Sequence, residues 1–405
     1  MIWSIFRKVV AVILVGLGSL LLPGCDMKEV DDLNVVIALG VDQTNNGSVR
    51  VTAQLVNPAN VPSASGGESG GGATGQAFIV RVETGSSIEE AVEKFDQEVP
   101  HHVYLAHNTL VVFGNAYAEQ GIGRAFDYLE RNRYFRRNQL FVVTSGTARD
   151  LLSASSEPEP LNAFGIRALV QQTADLFPMA NSEQEKVMQE YLSPSQASIV
   201  SLVDLDTANH PVMKGVAVFR GTKMVDVLTL DETKALAWLL GNTRQVEIHL
   251  PCDGRGNNIQ TTIRLMNSNT KIVPQLRNNG LCFLVSVHAQ AEIERLCPNE
   301  HMSEKTYTEV EKKTAEYMER EIKAVVAKLQ SDDVDACQFG TRLFRKNPRY
   351  WRQISQSWPD DFAAAQATCN VRVQVLRPSL TSGTPESATS RSGLAPPAGR
   401  GGSVP

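Results

Sequence analysis

Three clusters of side chains could in principle do chemistry. His101, His102 and His107 lie close together in HHVYLAH, a spacing that zinc tolerates. No cysteine or carboxylate stands at ligand spacing beside them, and there is no H-E-x-x-H, so polar residues in a helix-to-strand loop are the better account. Arg131, Arg133, Arg136 and Arg137 form a basic run, RNRYFRR, suited to lipid head groups or an acidic partner. A solvated helix end explains it more simply. Asp332, Asp333 and Asp335 stand too close in sequence for an acid/base pair; they predict a helix start, where the dipole favours negative charge. No G-x-S-x-G and no supported serine–lysine pair occurs. The glycine-rich stretch 63–76 lacks the G-x-x-x-x-G-K-[ST] of a phosphate cradle. The expectation is a protein that is not an enzyme and holds no metal or dissociable cofactor.

The most specific reactive residue is Cys25. Arg7 and Lys8 precede an apolar run from Val9 to Leu22, shorter than the roughly 20 residues a bilayer span needs. That pattern predicts a secretory signal peptide over 1–24. Its end, Leu22-Pro23-Gly24-Cys25, resembles a bacterial lipobox. The resemblance implies cleavage between Gly24 and Cys25, with Leu22 read by the peptidase. Cys25 would carry a thioether-linked diacylglycerol, with a possible N-acyl chain. Each buried CH₂ contributes roughly 0.8 kcal/mol, so two chains anchor far better than one. Loss of Arg7 and Lys8 makes the mature chain two charges more acidic than the −5 of the whole. Anionic lipid would repel it mildly, and the acidic balance also argues against nucleic acid as a partner.

Beyond Cys25 stand Cys252, Cys282, Cys297, Cys337 and Cys369, with no C-x-x-C pair. Their number is odd, so at least one stays a thiol in a monomer. One or two disulfides and five buried thiols are both open readings.

The elements that must position these residues are readable from periodicity. A length of 405 residues with 42% hydrophobic and 20% charged residues suits two or three packed domains. Strands are expected at 35–41 and 49–56 around the Asn45-Asn46-Gly47 turn, and at 77–83. Ser87-Ile88-Glu89-Glu90 predicts a capping box opening a helix. Strands at 109–113 and 140–144 flank a helix over 118–130, and helices follow around 165–177 and 183–191. A hairpin from Met213 turns at Gly221-Thr222 and leads to a helix capped by Asp231 and ended by Gly241. Strands at 246–250, 259–267 and 282–293 precede an amphipathic helix over 303–330. Helices at 333–343 and 351–358 and a strand at 367–376 complete the pattern. The fold class is α+β, with mostly antiparallel or mixed sheets flanked by helices. The expected division is an N-terminal α/β domain over 25–195, a hairpin-plus-helix middle domain over 196–245, a C-terminal α+β domain over 246–377 and a disordered tail over 378–405.

Four segments resemble one family, the GerAC-like C subunits of spore germinant receptors. They are the lipobox with its acidic leader and VVIALGVD, with Gly40 and Asp42; the stretch from His107 to Leu152; KGVAVFRGTKMVDVLTLDETKALAWLLG, with Lys214, Gly215, Phe219, Leu228, Glu232, Thr233, Trp238 and Gly241; and the C-terminal stretch holding Phe339, Gly340, Pro348, Trp351, Trp358 and Phe362. The glycine loop, the extra cysteines and the tail depart from the pattern. The resemblance implies three small domains in an elongated arrangement. It implies A and B membrane-spanning subunits as partners and residence at the outer face of the spore inner membrane. The competing reading is a solute-binding lipoprotein of a transport system, which calls for two doubly wound lobes.

Overall fold

The computed structural model describes residues 33–61, 76–241, 243–252, 260–277 and 280–376, with Trp3 and Arg7. Apart from Trp3 and Arg7, the signal peptide lies outside the described residues, as do Cys25, the glycine loop through residue 75 and the tail from 377.

The first sheet begins with the expected hairpin of β1 (Leu33–Gln43) and β2 (Val49–Val56), joined antiparallel by β3 (Phe78–Gly85). Helix α1 (Ile88–Glu98) starts where predicted, with Ser87 Oγ accepting from Glu90 N–H at 3.3 Å. Glu90 reaches one residue further back than a capping box requires and accepts from Ser86 N–H at 2.8 Å. The chain then adds β4 (His102–Tyr104), β5 (Leu110–Gly114), α2 (Asn115–Gln120), α3 (Gly123–Arg131) and β6 (Leu140–Thr144). One helix was expected over 118–130; the chain breaks at Gly121 instead. Helices α4 (Ala148–Ser153), α5 (Asn162–Leu176) and α6 (Gln184–Tyr191) lead to β7 (Ala197–Leu205), β8 (Pro211–Arg220) and β9 (Lys223–Thr229).

The strand order is β3-β2-β1-β5-β6-β7-β8-β9, with β4 beside the start of β1. The hairpin expected to define a separate middle domain therefore has no sheet of its own. It continues the first sheet, because β6 and β7 pair in parallel at Val142↔Ser201 and Val143↔Leu202. The centre, β1-β5-β6-β7, is parallel, and only the flanks are hairpins. Every residue of β5 and β6 is buried, as parallel strands covered on both faces must be. One face carries α1 and α3 on Leu39, Val111, Phe113 and Phe141. The other carries α4 and α5 on Ile37, Leu110, Val112 and Val142.

Helix α7 (Leu230–Leu240) follows β9 directly. Its cap is Thr229 rather than Asp231. Thr229 Oγ1 accepts from Glu232 N–H at 3.3 Å, and Glu232 Oε2 accepts from Thr229 N–H at 2.8 Å. Gly241 closes it at φ +84°, the left-handed turn that glycine takes without steric cost.

The second sheet has the order β10 (Arg244–Pro251), β11 (Gln260–Arg277), β12 (Gly280–Arg295), β13 (Gln366–Val375). The β11–β12 hairpin runs well past the expected strand end at 267, in register to Arg277↔Gly280. Helix α8 (Glu304–Ser331) covers one face with Met318, Ile322, Val325 and Leu329. The helix expected at 333–343 starts late, as α9 (Phe339–Lys346), followed by α10 (Pro348–Ile354) and α11 (Trp358–Ala364). Cys252 and Cys297 form a disulfide with Cα atoms 5.9 Å apart; Cys282, Cys337 and Cys369 are buried thiols.

Trp238 is 1% exposed and packs edge-on against Tyr317 of α8 at 6.2 Å. Trp238→Ala should destabilise the protein by about 3–5 kcal/mol through the cavity it leaves. Its indole N–H has no partner, so no hydrogen bond is lost with it. A denaturant midpoint within error of wild type would contradict this core role.

Candidate functional site

Leu22, Gly24 and Cys25 fall outside the described residues. Many of the residues that carry the family resemblance, with the Asp332–Asp335 cluster, gather into three places, all of them junctions between elements.

The first is Gly40 with Asp42. The Asp42 carboxylate is buried at the start of α4, accepting from Ala148 N–H at 2.7 Å and Arg149 N–H at 3.1 Å. Burial pushes its pKa up, and the two N–H bonds oppose that shift. Gly40 lets α4 approach β1: a Cβ there would lie 2.9 Å from Ala148 Cβ and 3.0 Å from Leu152 Cδ1. The motif docks a helix rather than binding a ligand.

The second lies on β8, β9 and α7. Gly215 sits at φ +142°, and a Cβ would stand 1.9 Å from Leu228 O, so the hairpin closes only over glycine. Beyond its cap role, Glu232 meets Lys328 Nζ of α8 at 3.1 Å. The same ammonium reaches Asp226 at 3.0 Å and Val227 O at 2.8 Å. Burial opposes the Lys328 charge, but the two carboxylates outweigh it and its pKa is raised. Asp332 is held above the usual carboxylate range by burial and by the neighbouring Asp226. Arg220 and Asp333 add a looser contact at 3.8 Å.

The third surrounds Asp335. Its carboxylate accepts from Phe339 N–H at 2.9 Å, Gly340 N–H at 2.6 Å and the Trp358 indole N–H at 3.2 Å. Asp335 thus caps α9 from four residues upstream, which is why the helix begins at Phe339 and not at 333. Gly340 is required because a Cβ would stand 2.8 Å from Trp358 Nε1 and 3.0 Å from Trp351 Cη2. Phe283, Phe339, Trp351, Trp358 and Phe362 stack around it, with ring centroids 4.2 Å apart for Phe283–Phe339 and 5.1 Å for Trp351–Trp358. From the first sheet's side, Ser195 Oγ accepts from Thr341 N–H at 3.0 Å, and Gln338 Nε2 donates to Ala197 O at 3.2 Å.

The remaining clusters stay apart. His102 contacts Asp96 at 4.0 Å, and His107 packs edge-on against Tyr104. No group of metal-binding residues forms among the described residues. Arg131 pairs with Asp127 and Arg137 with Glu130, both at 2.6 Å, as expected of a solvated helix end. Lys328, Ser195 and Gln338 escaped sequence reasoning. Only Asp335 left a signal, its spacing of four residues from Phe339. These arrangements fix surfaces relative to each other.

The fold is a parallel-centred sheet locked through buried polar junctions to a hairpin sheet under a long helix. Residues 26–205 match the spore germination protein N-terminal domain, and 214–379 match the spore germination B3/GerAC-like C-terminal domain. Spore germination protein KC of Bacillus subtilis is 26% identical, covering 88% of this chain and 92% of its own length. Spore germination protein B3 of the same organism is 25% identical over 88% and 94%. The GerBC crystal structure shares the fold, with a TM-score of 0.54 at 19% identity over 84% of this chain and 97% of its own. The chain belongs to the GerAC-like family of germinant receptor C subunits.

Burial raises the Asp335 pKa to about 6 from an ordinary 3.8, against the pull of its N–H partners. A raised carboxyl pKa means the native state holds the proton longer than the unfolded chain, so stability falls as pH rises through that window. The loss should be about 2 kcal/mol between pH 4 and pH 6. Asp335→Asn should remove that slope while losing one of the two helix-capping bonds. Unfolding midpoints of both proteins across this range provide the check. Parallel slopes would show that Asp335 is ionised in the fold throughout.

Proposed function

We propose that this chain is a non-catalytic, lipid-anchored C subunit of a nutrient germinant receptor. It sits at the outer face of the spore inner membrane and is needed for nutrient-triggered germination. The observation that carries the reading is the family match over both halves of the chain. Among the described residues no helix is long and apolar enough to cross a membrane; the attachment proposed is through Cys25 and the partners. The partners are the membrane-spanning A and B subunits, held through folded surfaces. A solute-binding lipoprotein would need two doubly wound lobes; here only the first sheet has a parallel centre, and the second is mainly antiparallel.

Cys25→Ala tests the anchor. The variant should take up no radiolabelled palmitate, leave the spore membrane fraction and slow nutrient-triggered germination. Incorporation at the wild-type level would refute lipidation at Cys25. Co-purification of A and B with the wild-type chain from detergent-solubilised spore membranes tests the complex.

A further inference from the structure

Between Asp335 and Asp360 the sequence holds Arg342, Arg345, Lys346, Arg349 and Arg352 and no acid, in a chain whose net charge is −5. The fold spreads these cations over α9 and α10. Arg345, Arg349 and Arg352 are exposed, and among the described residues none of them meets a carboxylate. Burial and then the neighbouring Arg345 push the Arg342 pKa down, with Asp335 opposing, and Arg342 Nε has no hydrogen-bond partner. Lys346 Nζ donates to Pro274 O at 3.1 Å, which brings the end of the β11–β12 hairpin, with Leu276 and Arg277, to the end of α9. Two large apolar side chains stand in water among these charges: Phe344 is 41% exposed and Leu276 is 52% exposed.

Sheet topology places this patch. β1, β5, β6 and β7 are parallel, so all four begin at one end of the first sheet. Helix α9 is fixed to the start of β7, where Thr341 N–H donates to Ser195 Oγ and Gln338 Nε2 donates to Ala197 O. A second basic segment, with Arg133 and Arg136 exposed and meeting no carboxylate among the described residues, leads directly into the start of β6. Arg133 lies over the exposed Tyr134 ring at 5.2 Å. Leu33 begins β1 at the same end. From β1 to β7 is three strands, about 14 Å at roughly 4.8 Å per strand. The chain arriving from Cys25 therefore enters the fold at the end that carries both basic segments.

We propose that this end of the first sheet, with α9 and α10, docks on an anionic lipid surface. Unpaired arginines around exposed aromatic and aliphatic side chains suit an interfacial contact: the cations meet phosphate head groups, and the apolar tips enter the boundary beneath them. An acidic protein would also satisfy the charges, but the entry of the chain at this end favours the bilayer. The acidic balance of the whole chain does not prevent the contact, because charges beyond about 8 Å are largely screened at physiological ionic strength and the local face decides. The orientation argument rests on attachment through Cys25; the chemistry of the patch does not.

Every strand and helix described above lies within 33–376, so the chain from residue 26 keeps the fold and lacks any anchor. Its binding reports the surface alone, and its failure would leave the Cys25 reading untouched. The chain is co-sedimented with vesicles of phosphatidylcholine, pure or with about 30% phosphatidylglycerol. The mixed vesicles should bind it at low salt and release it at about 0.5 M salt, and the pure ones should not bind it. Arg345→Gln, Arg349→Gln and Arg352→Gln together should weaken binding about a hundredfold, roughly fivefold per charge. Lysine at the same three positions should retain it. Lys312→Gln, Arg320→Gln and Lys323→Gln remove the same charge from exposed positions of α8 and should change binding by less than about twofold. No binding to the mixed vesicles would overturn the proposal and leave the patch to an acidic protein. Equal binding to both kinds of vesicle would overturn it too. So would equal losses in the two glutamine triples, which would show a response to net charge and not to this patch.

Discussion

Helix α7 leaves β9 without an intervening loop, so its direction is set by the first sheet. Most of what it buries belongs to the second. One continuous apolar cluster contains Ile199, Val216 and Val218 of the first sheet, Leu236, Trp238 and Leu239 of α7, and Phe283, Ile322 and Val325 beyond. Neither sheet can bury its inner face alone. Joining two units by an apolar core instead of a polar contact suppresses the relative motion that is otherwise the default between domains. The polar contacts then choose one arrangement among the apolar alternatives. Lys328 is placed by Asp226, Glu232 and Val227 O at once, and a register shift along α8 would strand that ammonium half-buried.

Asp335 does the same at the other end of the junction. Three donors converge on its carboxylate, two from the first turn of α9 and one from Trp358. Removing the water from a carboxylate costs more than these bonds return, which is why its pKa rises. The cost secures a defined helix start and a defined indole orientation. With Gly340 allowing contact, the aromatic cluster has one way to stack.

Legibility from sequence followed the range of the interactions. The amphipathic helix at 303–330, the hairpin turn at Asn45-Asn46-Gly47 and the Gly241 stop rest on local chemistry and are found within a residue or two. Membership of β7–β9 in the first sheet was not legible, because it depends on a two-residue parallel pairing to β6, Val142↔Ser201 and Val143↔Leu202, between residues far apart in the chain. A hint existed: TLVVF and LFVVT are uninterrupted apolar runs, the pattern of strands buried on both faces. The Asp332-Asp333 pair imitated a helix start, while the working acceptor was Asp335, reaching forward to Phe339. The disulfide pairing is a tertiary fact. Cys252 and Cys297 follow the ends of β10 and β12, which meet only because both flank β11. The residues that carried the family resemblance, Gly40, Asp42, Gly340 and Trp358, serve packing, so their types alone could not announce a function.

Covalent geometry limits how far the proposed anchor lets the fold stand from the membrane. An extended chain advances at most about 3.6 Å per residue. A lipid on Cys25 would therefore keep Leu33, the first residue of β1, within about 30 Å of the bilayer surface. β1 has 11 residues, so at about 3.3 Å each its far end lies about 35 Å from its start. The strand need not stand upright, but its far end, where Gln43 leads into the hairpin, lies opposite the tether. Because the two sheets share one apolar core, movement of the tethered end carries the second sheet with it.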